Sequence, residues 1–130
     1  MKTTNRFYKQ LGNLFYAIAA ADKKIRPEEK KTLNDEIQYS WKHYDESTDR
    51  FGSDRAFVIQ YEFETMEEAF ESAAHAFDAF ENYFLENEKD FDPATRKRIF
   101  NSARHIAESV RKINHEELDL LVRLKKLLNI

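Results

Sequence analysis

LFYAIAAADKKIRPEEKKTL, residues 14–33, decides how the rest of the chain is read. It contains the end of one amphipathic helix, a short charged turn, and the start of a second helix. Phe7, Leu11, Leu14, Phe15, Ile18 and Ala21 recur at three- and four-residue steps, which places them on one helical face over about Thr4 to Ala21. The alanines at 17, 19, 20 and 21 suit close approach by a neighbouring helix. Pro27 fits the first position of the next helix, because its fixed φ is already helical and its missing N–H has no partner to lose there. Glu28 and Glu29 follow in the first turn, where the helix dipole favours negative charge.

Outward from this stretch the same logic gives helices throughout. Leu33, Ile37, Trp41 and Tyr44 continue the second stripe, and the run Asp45 to Asp54 has loop composition. Residues 57–63 are ambiguous: Phe57, Ile59, Tyr61 and Phe63 alternate as in a strand, while Ala56, Ile59, Gln60 and Phe63 keep helical spacing. A strand here lacks any partner strand, so helix is expected. Thr65 with Glu68 has the form of a capping box opening a long helix to about Glu88, with Phe70, Ala73, Ala74, Phe77, Phe80 and Phe84 as its core face. Asp92-Pro93 starts the next, striped by Ile99, Ala103, Ile106, Ala107 and Val110. Asn114 with Glu117 caps a last helix whose leucines at 118, 120, 121, 124, 127 and 128 imply burial on more than one side. The expectation is a single all-α domain, 1–130, folded as a compact bundle of about six helices.

Composition agrees. Two Gly and two Pro in 130 residues leave few breakers, and 11 Phe supply a core despite 35% charged residues. The net charge of −3 is unevenly spread: Glu62 to Asp92 carries eleven acidic residues against Lys89 alone. No long basic stripe exists, which argues against nucleic-acid binding. Cys is absent, excluding disulfides and thiolate chemistry. No apolar run reaches the roughly 20 residues of a membrane span. The segment LFYAIAAADKK imitates a signal peptide, but cleavage there would remove half of an amphipathic helix, so a cytoplasmic location is expected.

The two ends of the chain echo one another. Ile18-Ala19 aligns with Ile106-Ala107, Ile25 with Ile113, Glu28-Glu29 with Glu116-Glu117, and Leu33 with Leu121, at a constant offset of 88. A helix–turn–helix unit is therefore expected once at each end, with the Phe-rich middle between them.

At these residues the chain resembles the TerB-like (tellurite-resistance protein B) family, whose pattern is a small-residue helix, then A-D-G-x-[IV]-x-x-x-E leading into a second helix. Ala21-Asp22 and Ile25 through Glu29 keep it. Lys23 stands where the pattern has Gly, and Val110 stands at the Asp position of the second copy. The resemblance implies an all-α fold, a link to stress responses including tellurite, no transferable catalysis, and a divalent-cation or ligand site built from Asp22, Glu29 and Glu117. A hard cation wants several oxygens, and acids at two helix–helix turns can supply them. The alternative is local: Asp22 accepts N–H groups in its turn while Glu29 complements its helix dipole.

Other constellations are weaker. Glu68, Glu71, His75 and Asp78 share a face of the middle helix away from the Phe stripe, as a solvated acidic face does. None of the histidines is spaced for a nucleophile, and neither a nucleophile elbow nor a Gly-rich phosphate loop occurs, so no catalytic residue is expected. The rival to a ligand-binding module is a structural adaptor or homodimer that uses the acidic middle helix and an aromatic patch of Trp41, Tyr44 and Phe51.

Overall fold

A computed structural model describes residues 4–44, 55–110 and 112–130. Among the described residues all regular structure is helical. The helices are α1 Asn5–Ala19, α2 Pro27–Glu36, α3 Phe57–Glu68, α4 Ala73–Glu86, α5 Pro93–Glu108 and α6 His115–Leu128. The all-α bundle expected from the sequence forms, with a helix–turn–helix unit at each end.

Helix α1 is the hub. It packs against α3, α4, α5 and α6, and every residue from Leu11 to Ala20 is buried. The small residues make this possible. A Cβ on Gly12 would stand 2.8 Å from both the Ile59 carbonyl oxygen and Glu62 Cβ, so the α1 and α3 backbones meet at van der Waals range. Thr4 starts α1 by accepting the Phe7 N–H at 3.2 Å.

Helix α2 runs on into one π-helical turn, Ile37–Trp41, closed by Lys42 N–H to the Ile37 carbonyl at 2.8 Å. The stripe Leu33, Ile37 and Trp41 is buried throughout. Trp41 donates its indole N–H to Ser102 Oγ on α5 at 3.0 Å, and Ser102 donates to Glu36 Oε1 at 2.6 Å. Phe7 lies 6.0 Å from the Trp41 ring and 5.9 Å from Tyr44. These aromatics close one end of the core, so Trp41 is not part of a surface patch; Phe51 and the loop expected over 45–54 lie outside the described residues.

The ambiguous segment is helical, with Ala56, Ile59 and Phe63 buried at helical spacing. The single long helix expected from Thr65 to Glu88 is instead two. Thr65 is inside α3, its hydroxyl donating back to the Tyr61 carbonyl at 2.9 Å, and no capping box forms there. The break falls at Phe70, whose φ is 53°, and Ser72 caps α4 by accepting the His75 N–H at 3.1 Å. The break turns two expected core residues outward: Phe70 is 92% exposed and Ala74 is exposed, while Phe77, Phe80 and Phe84 remain buried. The last helix also differs from expectation. Leu121, Leu124 and Leu128 are buried, Leu118 is exposed, and Leu120 and Leu127 are partly covered, so α6 buries one face only. Its Asn114–Glu117 capping box does form, with bonds of 2.8 and 3.1 Å, and Asp92 caps α5 through the Thr95 N–H at 2.7 Å.

Candidate functional site: a buried acid pair where the two units meet

The turn after α1 is built around Asp22. Its Oδ1 accepts the Lys24 N–H at 3.1 Å and its Oδ2 pairs with the Arg26 guanidinium at 2.9 Å. Between them Lys23 takes a left-handed backbone, φ 66°. That conformation accounts for the Gly in the resembling pattern, since only Gly adopts it without strain from a Cβ.

Glu29 sits at the third position of α2 and reaches back to accept the Arg26 N–H at 2.8 Å. Glu117 does the same in α6, accepting the Asn114 N–H. Each glutamate thereby satisfies a backbone donor that its helix start would otherwise leave without a partner. The residues aligned by the offset of 88 thus do the same local work.

Packing one unit on the other then buries both carboxyls completely, each at 0% exposure. Helix α2 lies on α5, and α1 on both α5 and α6. Glu29 and Glu117 are close enough to act on each other electrostatically, Glu117 being one cause of the rise in the Glu29 pKa. Among the described residues the Oε2 atom of each has no hydrogen-bond partner. Two ionised carboxylates cannot bond, because neither has a donor; a single proton between them would supply one. Loss of solvation pushes Glu29 up to about 8, and the neighbouring Glu117 adds to the rise. The Arg26 N–H and guanidinium, 3.8 Å from Glu29 Oε1, oppose it without winning.

Asp22 does not join the pair. Its Oδ2 accepts Asn114 Nδ2 at 2.8 Å, so it bridges the first turn to the N-cap of α6. The structure therefore assembles Glu29 with Glu117 and holds Asp22 one residue away, through Asn114. Among the described residues no group of three or more His, Asp or Glu side chains is arranged to hold a metal ion. The Asp22–Asn114 bridge escaped sequence reasoning. Asn114 was legible as a cap, but nothing local signals a partner 92 residues away.

The acidic face of the middle segment is mostly engaged. Glu71 takes His75 Nδ1 at 2.7 Å, and Asp78 and Glu81 both meet Arg123 of α6, at 3.1 and 3.2 Å. Among the described residues no helix is long and apolar enough to cross a membrane. No family model matches the chain, and neither a curated protein nor a solved structure matches it.

Proposed function

We propose that the chain is a non-enzymatic binding module of the TerB-like type, in which a divalent cation takes the place of the proton between Glu29 and Glu117. One observation carries the reading: two fully buried carboxyl groups, each with one oxygen that has no hydrogen-bond partner among the described residues. Buried like charges are costly, and a cation offsets both at once. The oxygens suit a hard ion such as Mg²⁺ or Ca²⁺, which takes six or more ligands and so needs water or Asp22 besides the pair. Asp22 can contribute only by releasing Asn114 or Arg26. A link to stress belongs to the same reading and comes from the resemblance; a cytoplasmic setting comes from reading residues 14–24 as part of a helix and its turn and not as a signal peptide.

Thermal unfolding with a panel of Mg²⁺, Ca²⁺, Mn²⁺ and Zn²⁺ at about pH 7.5 tests this. At least one ion should raise Tm in the native chain and none in the Glu29→Gln, Glu117→Gln double variant, whose amides remain able to bond to each other. Binding should also release a proton in a weakly buffered titration. A panel in which no ion shifts Tm refutes the cation reading.

A further inference from the structure

A cavity of about 670 Å³ opens between the C-terminal end of α1, the turn after it, and the break between α3 and α4. Its size lies inside the range of roughly 300–1,000 Å³ typical of small-molecule sites. The floor is apolar: Ala20, Ala21, Ile25, Ala73 and Ala74. Three non-glycine residues among those described have positive φ: Lys23, Phe70 and Asn129. Asn129 is an ordinary left-handed helix cap at the end of α6. The other two, Lys23 and Phe70, both line this cavity.

Both backbones belong to hydrogen-bonded turns: the Phe70 and Glu71 N–H groups close the end of α3 on the Glu67 and Met66 carbonyls, each at 3.1 Å, and the Lys23 N–H bonds to the Ala20 carbonyl at 2.8 Å; exposing Phe70 forgoes its burial. What the turns do is present two side chains to the cavity: Phe70, 92% exposed, and Lys23, also exposed. The other polar groups of the lining are already engaged. Glu67 pairs with Lys30 at 2.8 Å. Glu71 holds His75 at 2.7 Å and accepts the Ser72 N–H, and the Tyr16 hydroxyl donates to the Glu71 carbonyl at 2.6 Å. The charged group of the lining that makes no ion pair among the described residues is the Lys23 ammonium, in a cavity that Phe70 and four alanines also line.

We propose that this cavity binds a small amphipathic acid, its apolar body lying on Ala20, Ala21, Ala73 and Ala74 beneath Phe70 and its anionic group meeting Lys23. The site uses none of the carboxyls of the buried pair and stands or falls apart from them. Specificity comes from the sign of the head group: a cationic amphiphile of equal length meets Lys23 unfavourably and finds Glu67 and Glu71 already paired.

Calorimetric titration with dodecanoate, dodecanol and dodecyltrimethylammonium, each below its aggregation concentration, decides the matter. Dodecanoate should bind saturably, with one site per chain and at least tenfold tighter than the cationic probe. Lys23→Glu should weaken dodecanoate tenfold or more while leaving dodecanol within about twofold, and Phe70→Ala should weaken both. Both residues are exposed, so the variants should unfold as the native chain does, which circular dichroism melts check. Equal or tighter binding of the cationic probe, absence of saturable dodecanoate binding, or indifference of dodecanoate to Lys23→Glu each overturns the proposal.

Discussion

Replacing Glu29 with Gln should leave stability nearly unchanged in acid and raise it in base. In the native chain Glu29 is buried, accepts the Arg26 N–H, and faces Glu117. A glutamine side chain at this position can do both jobs at any pH, its carbonyl accepting from Arg26 and its amide donating to Glu117, as a protonated glutamate would. The magnitude follows from linkage. The Glu29 carboxyl lies at about 8 when folded against an ordinary 4.5, so folding favours its protonated form. Its contribution is fully present below about pH 4.5, declines as pH rises, and is gone above about pH 8. Each tenfold step corresponds to about 1.4 kcal/mol, giving an upper limit of roughly 5 kcal/mol across the window. Urea unfolding of both proteins at intervals from about pH 5 to pH 9.5 provides the comparison. Other titrating groups cancel when one profile is subtracted from the other. The difference should be within about 1 kcal/mol near pH 5 and should favour the variant increasingly toward pH 9. Parallel profiles, or a variant less stable in base, would refute the idea that the pair needs a proton.

Gly12→Ala should cost about 1–3 kcal/mol of unfolding free energy, since its Cβ would overlap the Ile59 carbonyl and Glu62 Cβ at 2.8 Å and α1 and α3 would have to part. Lys23→Gly should add about 1 kcal/mol in the same measurement by relieving the left-handed backbone at φ 66°. Asn114→Ala should lose about 1–2 kcal/mol, more than a typical exposed cap, because the Glu117 N–H and Asp22 both lose a partner; Asn114→Asp, which keeps the cap but repels Asp22, should fall short of native stability as well.

The fold was legible where one periodicity or one cap sufficed. The stripes of α1 and α2, the Asp92 and Asn114 caps, and the offset between the units are all local patterns, and the structure keeps them. Thr65 and Ser72 show where that legibility ends. Both are hydroxyl residues seven apart in a helix-forming run, and Thr65-x-x-Glu68 is the better capping box on paper. Ser72 is nevertheless the cap, because α3 and α4 must each press a different stripe on α1, and a helix unbroken through Phe70 could not follow both. Tertiary packing chose between two locally acceptable readings, and Phe70 was turned out as a result. The candidate site was half legible for a similar reason. Glu29 and Glu117 could be matched by number, but that they meet depends on how the units pack. Asp22 was placed correctly in its turn, yet its partner comes from the far end of the chain.

The buried pair also explains why glutamate, a costly residue to bury, stands at both positions. In a solitary helix, a glutamate three residues past the cap reaches back to the cap N–H while its other oxygen stays in water, and the arrangement is stabilising. Closing two such helix starts on each other removes that water from both. The same side chains that satisfy Arg26 N–H and Asn114 N–H then confront one another with an oxygen each to spare. Leucine at either position would end the confrontation but leave a buried backbone N–H without an acceptor, at a cost of about 1–3 kcal/mol. Glutamate at both satisfies the turns and leaves the pair favouring a bound proton. The two units differ in what stands beside each carboxyl. Arg26 places a fixed cation beside Glu29, while Asn114 places none beside Glu117 and directs its side chain to Asp22 instead. Asn114 thus gives its backbone N–H to Glu117 and its side-chain amide to Asp22, so the bridge that joins the first turn to the last helix starts beside the buried pair.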